Sequence, residues 1–206
     1  MTKIEKSERN RIAQGDIYPN IDYIEYVVES DGMIEVSRIR FPYVIVLTQD
    51  CDLEQDSELR PGSSEKQPLN QDKLLLSVIV APLYNEKHLL TGIHLNKITY
   101  NGEPITMQNI SADSKTKQKL LLDNQLPRYH YLAFPADSDI PNSVIDFKHY
   151  FTVNADFLIR ARQSQPVWKV AELHREAISH RFASFLSRIG LPDIPGAPGP
   201  SANVKT

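Results

Sequence analysis

From Met33 to Phe41 the chain reads MIEVSRIRF, apolar and polar residues alternating one by one. Period-two alternation is the pattern of a strand with one buried face. Ile21 to Glu29, IDYIEYVVE, is rich in β-branched and aromatic residues and also favours a strand. Ser30-Asp31-Gly32 lies between the two stretches. Asp and Gly tolerate the positive φ of a tight hairpin, so the two strands are expected to pair. An earlier strand start is set by Gly15-Asp16-Ile17. Pro42 interrupts the ladder and marks an edge, a bulge or the start of a new strand. YVIVLTQ (43–49) is almost continuously apolar and is expected to be covered on both faces, the strand running on into Asp52. Leu74 to Tyr84 reads as a further buried strand whose regular part ends at Pro82. RYHYLAF (128–134) and SVIDF (143–147) read as two more.

The segments between follow other rules. Residues 1–14 are polar, an arm or a short helix. Residues 54–72 carry Pro61, Gly62, Ser63, Ser64 and Pro68, the composition of a mobile loop insertion. In a second insertion, 85–125, HLLTGIHL and KITYNGEPITM suit a hairpin around Asn101-Gly102. Ser114 to Leu122 suits a short helix capped by Ser114. From about 166 to 189 apolar residues fall at Val170, Ala171, Ala177, Ile178, Phe182, Phe185, Leu186 and Ile189. At helical spacing these make one face, with Pro166 in the first turn, Trp168 as an anchor, and Gly190 and Pro192 as the stop. Residues 193–206 are too polar and Pro-rich to bury a core and read as a tail. The predicted class is mainly β (α+β): one domain over 15–192, a small barrel with two insertions and a C-terminal amphipathic helix.

Composition narrows the setting. Of 206 residues, 41% are apolar, enough for a folded core, and the net charge of −3 gives no global field for nucleic acid. The single cysteine, Cys51, excludes an intrachain disulfide and a multi-cysteine zinc site. A charged start, MTKIEKSERNR, and no long apolar run predict a cytoplasmic protein without a membrane span.

Three segments, in order, resemble the MazF/PemK-like toxin family, a small SH3-like β-barrel. Gly15-Asp16-Ile17 is similar to the opening of that fold. Arg40-Phe41-Pro42-Tyr43-Val44-Ile45-Val46-Leu47-Thr48 is similar to its Arg-Pro segment with one residue inserted, and Val78-Ile79-Val80-Ala81-Pro82 to the next strand. The resemblance implies an SH3-like barrel that often dimerises and, in active members, a ribonuclease. Such members use an Arg near the Arg-Pro segment and a Ser or Thr after the next strand's Pro. Arg40 matches the first; Leu83 and Tyr84 stand where the hydroxyl is expected.

The residues themselves offer several chemistries. On a strand running through Thr48 to Asp52, Thr48, Asp50 and Asp52 share one face, with Gln49 and Cys51 on the other. Arg128 and His130 share a face of their strand, opposite Tyr129 and Tyr131. Asp50, Asp52, Arg128 and His130 therefore make a cleft if the two strands are neighbours. As a metal set, Asp50 and Asp52 with His130 or Asp146 suit Mg²⁺ or Mn²⁺, but Asp-x-Asp at a strand end more often caps a turn, so neither metal nor cofactor is expected. Cys51 with His130 as base suits a hydrolase, but flanking acids raise a thiol pKa, and a buried structural cysteine is the favoured reading.

Three functions compete. The first is a non-catalytic or regulatory barrel module acting with a protein or RNA partner in a toxin–antitoxin or phage-defence setting, with homodimerisation open. The alternative is a divergent endoribonuclease using Arg40, Asp50, Arg128 and His130. The last is the Cys51/His130 hydrolase.

Overall fold

Asp31 and Gly32 adopt positive φ (52° and 75°) and join two long strands, as the turn chemistry requires. The computed structural model describes residues 1–60, 71–100 and 103–188. Its strands and helices, in chain order, are β1 (Ile4–Lys6), β2 (Asp16–Ser30), β3 (Met33–Val46), α1 (Asp50–Leu59), β4 (Ser77–Asn85), α2 (Glu86–Thr91), β5 (Thr99–Tyr100), β6 (Glu103–Pro104), α3 (Ile110–Asp113), α4 (Lys115–Leu122), β7 (Tyr129–Leu132), β8 (Ser143–Asp146), β9 (Phe151–Asn154), α5 (Ala155–Ser164), β10 (Trp168–Val170) and α6 (Glu172–Leu186). None of the described helices is long and apolar enough to cross a membrane.

The fold is mixed α+β, built on an antiparallel sheet in the order β1-β10-β2-β3-β4-β8-β7, with β9 also pairing β4. The sheet is not closed. Its two ends approach through one backbone bond, Thr2 N–H to Ala133 O (2.6 Å). Val44, Ile45 and Val46 are fully buried, so the strand entered through Pro42 is covered on both faces as its composition predicts. Alternation then divides the core. Tyr18, Val44, Val46, Val80 and Leu158 pack on one side; Ile17, Ile45, Ala81, Phe147 and Phe182 pack on the other. A third cluster, including Leu89, Leu90 and Leu121 with Tyr84 of β4 and Val144 of β8, packs the 85–125 insertion against the sheet.

Pro42 lies inside β3, opposite Asn20, whose φ is 54°. Pairing of β3 with β4 begins only at Val44, so the missing Pro42 N–H falls on an edge without a ladder partner among the described residues. Beyond this point β2 and β3 leave the body as a two-stranded arm.

Several expected boundaries move. The strand ends at Val46, and Asp50–Leu59 is helix α1, so Glu54–Leu59 is no loop. Thr48 ends the strand by accepting the Ile79 N–H at 2.7 Å, and Asp50 and Asp52 then suit a helix first turn. The rest of that insertion, 61–70, lies outside the described residues. HLLT belongs to α2 rather than to a hairpin, with Asn85 as its cap. KITY and EPIT do supply the short β5–β6 pair, while Asn101 and Gly102 are outside the described residues. Ser114 caps α4 through the Lys117 N–H. β4 continues past Pro82 to Asn85, exchanging β3 for β8 as partner. The last helix starts at Glu172, not at 166. Trp168–Val170 is instead a strand held between β1 and β2, and Trp168 anchors there against Tyr43 (ring centroids 6.0 Å). β1 itself replaces the predicted helix or arm at the start, and the tail 193–206 is outside the described residues.

Candidate functional site

The residues singled out from the sequence are each engaged locally. Arg40 binds Asp22 on the arm (Nε–Oδ1 2.7 Å), which also accepts from Arg38. Asp50, first in α1, accepts from Arg11 through both oxygens (3.0 and 3.1 Å) and from the Gln14 N–H (3.1 Å), with Arg175 at 3.5 Å. Burial raises the Asp50 pKa, but these donors outweigh it and hold the carboxyl below its usual value. Arg128 forks onto Asp146 (2.8 and 2.5 Å). His130 is 3% exposed, in the core beside Phe147 (centroids 6.4 Å); burial, then Arg181 and His174, push it down to about 4. Among the described residues no hydrogen bond or ion pair joins any two of Arg40, Asp50, Arg128 and His130.

Three expectations are corrected. Thr48, Asp50 and Asp52 do not share a strand face, because Asp50, Cys51 and Asp52 lie in the first turn of a helix. Cys51 is exposed rather than buried, its Sγ 3.7 Å from both Gln49 Oε1 and Asp52 Oδ1. Arg128 is not opposite Tyr129: it precedes β7, and its guanidinium lies over the Tyr129 ring at 5.0 Å. Among the described residues no group of three or more His, Cys, Asp or Glu is placed to hold a metal ion.

Polar groups converge elsewhere, where β8 passes into β9. Val80 to Leu83 of β4 are paired by Phe151 back to Ile145, so three steps on one strand face six on the other. The surplus loops out as a single 3₁₀ turn, Phe147–His149. Irregularities of this kind re-aim side chains and often adjoin functional sites. Asp146 caps the turn by accepting the Lys148 N–H (3.0 Å), while the Phe147 N–H donates to Arg128 O (3.0 Å). Asp146 is fully buried and spends its lone pairs on Arg128 and this turn.

The turn presents Lys148 and His149 to a cavity of about 570 Å³. Its walls are the rings of Tyr23 and Phe41 from the arm root, Tyr84 from β4, and Tyr150 and Phe151. Phe41 packs on Phe151 (5.6 Å) and edge-on to Tyr84 (6.2 Å), and Tyr23 meets Phe151 edge-on (5.2 Å), which fixes the walls to one another. A second cavity, about 510 Å³, shares Phe41 and Tyr84 with the first and includes Arg40, His88 and His94.

His149 is oriented from behind. Its Nδ1 is 3.0 Å from the Tyr84 hydroxyl and 3.6 Å from Asp146 Oδ2. Burial, followed by the Asp146 charge, raises the Tyr84 pKa, so the hydroxyl keeps its proton, and which of the two groups donates follows the ring tautomer. Burial lowers the His149 pKa, keeping the ring neutral. With the ring proton on Nε2 the ring is a donor through that nitrogen, and with it on Nδ1 the ring donates to the Tyr84 hydroxyl and Nε2 is an acceptor. Lys148 adds a cation. The set can hold an aromatic ring and an anionic or carbonyl oxygen together.

Sequence reasoning reached Asp146 only as a metal ligand and Tyr84 only as a missing hydroxyl. Lys148 and His149 went unmarked, although two basic residues directly after an apolar strand, in SVIDFKHY, were a usable signal. Comparison of the chain with protein-family models, with curated proteins and with solved structures finds no match.

Proposed function

We propose that this chain is a non-catalytic, MazF/PemK-like binding module that holds one unpaired nucleotide of a single-stranded RNA partner. The observation that carries the reading is the convergence of aromatic walls on a turn bearing Lys148 and His149. Unpaired bases stack on aromatic side chains irrespective of sequence, and a cavity of this volume suits a small ligand. Lys148 and the His149 Nε2–H supply donors for a phosphate or a base carbonyl. The prior engagement of Asp146 by Arg128 and by the Lys148 N–H favours holding over cleavage. Leu83 after Pro82, in place of a hydroxyl residue, points the same way. The curled sheet that begins at Gly15-Asp16 and runs through Arg40 and Pro42 supports an SH3-like barrel opened along one seam. With a net charge of −3, contact is confined to this local patch, so the salt dependence of binding is shallow.

The test is a fluorescence-anisotropy titration with short single-stranded oligoribonucleotides, for the wild type and for Tyr150→Ala, Lys148→Ala and His149→Ala. Tyr150 is 42% exposed, so its removal leaves the core intact. Saturable binding that weakens about tenfold or more in each variant is expected. No binding by the wild type, or equal binding by all four, overturns the reading.

A further inference from the structure

The arm formed by β2 and β3 beyond the body carries much apolar surface in the open. Met33 is 74% exposed, Ile34 70% and Val27 60%. Beyond the arm root its ladder runs from Tyr26↔Ser37 to Ser30↔Met33, and no other described strand pairs with these residues. Exposed apolar ribbons with free edges are self-association sites unless something covers them. Past Asp22, Arg38 and Arg40, which pair at its root, the charge on the arm is one-sided. Glu25, Glu29, Asp31 and Glu35 all fall between 23 and 37, with no Lys or Arg among them. Two such arms repel when laid together, so the surface that covers the arm is basic as well as apolar.

The same chain carries a surface of that kind. A groove of about 320 Å³ beside α4 is walled by Leu89, Met107, Ile110 and Leu126 and includes Lys117 and Arg188. The Arg188 guanidinium lies flat over the Phe185 ring at 4.1 Å, and Lys117 reaches Gln108 at 2.5 Å. We propose that the arm docks in this groove on a second copy of the chain, with the reciprocal contact closing a two-fold dimer. An isologous pair makes the contact twice. A standard interface buries roughly 1,600 Å², and the two contacts share that requirement. The dimer is independent of the nucleotide reading, because neither the arm tip nor the groove belongs to the ring-lined cavity.

Sedimentation equilibrium of the full chain at low and high salt tests it. The wild type is expected to be a monomer–dimer system that weakens as salt rises. The arm reversal Glu29→Lys with Glu35→Lys, and the groove reversal Lys117→Glu with Arg188→Glu, each weaken dimerisation about tenfold or more. All four changes in one chain restore it. The arm residues are exposed, so that variant keeps its fold even where the groove variant does not; circular dichroism checks both. A wild type that stays monomeric at every concentration overturns the proposal. So does a dimer indifferent to the arm reversal, or a folded four-residue swap that fails to recover.

Discussion

The Tyr84 hydroxyl stands 3.0 Å from His149 Nδ1, and this contact decides which ring nitrogen is left for a ligand. Tyr84→Phe removes the hydroxyl that bonds Nδ1. The proton is then expected on Nδ1, facing Asp146 at 3.6 Å, which turns Nε2 into an acceptor. Imidazole nitrogen chemical shifts report the exchange directly. Affinity for the oligoribonucleotide falls about tenfold with little change in stability, a pattern that simple loss of packing does not give.

His130 and His94 are both pushed down to about 4, chiefly by burial, followed by Arg181 for His130 and by His149 for His94. Each stays neutral in the fold but takes up a proton near the ordinary 6.5 once unfolded. Stability from them is fully present above 6.5 and is lost as pH falls toward 4. His130→Gln is expected to remove on the order of 2 kcal/mol of the fall between pH 7 and pH 5. Urea unfolding at the two pH values, wild type against variant, measures it.

Asp16 titrates with the opposite sign. Burial raises it to about 6 against the pull of Arg162 and of the Ala13 N–H. Its stabilising term is present below the unfolded value near 3.8 and is lost as pH rises through about 6. At neutral pH it is ionised against Arg162, which also donates to the Tyr18 hydroxyl (3.1 Å) and to Arg9 O (2.8 Å). Asp16→Asn removes the titrating group, so the fall in stability as pH rises from about 4 to about 7 is expected to be smaller than in the wild type. Chemical denaturation across that pH range, wild type against variant, measures the difference.

Cys51 is exposed at the start of α1. A thiol reagent is therefore expected to label it fully without denaturant. Cys51→Ser changes neither RNA binding nor the melting temperature, the usual outcome for a surface substitution within about 0.5 kcal/mol.

Where local chemistry decides structure, the sequence was legible. Asp31-Gly32 made the hairpin, Ser114 capped its helix, and VIV at 44–46 was buried on both faces. Where tertiary partners decide, it was not. α1 turns only Leu53 and Asp56 inward, and Asp56 is an acid satisfied by Arg60 and the Leu75 N–H, so no apolar stripe marks the helix. α5 buries Ala155, Leu158 and Ala161 but leaves Phe157 exposed. In α6, Leu173 and Leu186 point outward, and the apparent face is wider than the buried one of Ile178 and Phe182. The candidate site was hidden for a further reason. Lys148 and His149 owe their position to unequal pairing of β8 and β9 along β4, a relation between residues some seventy positions apart.

The pairing of β1 with β10 sets a timetable for biosynthesis. Ile4 finds Val170, and Lys6 finds Trp168, only when most of the polypeptide has left the ribosome. The hairpin at Asp31-Gly32 needs no such wait, since its partners are adjacent in sequence. A nascent chain therefore exposes its apolar, acidic arm long before the sheet behind it is assembled.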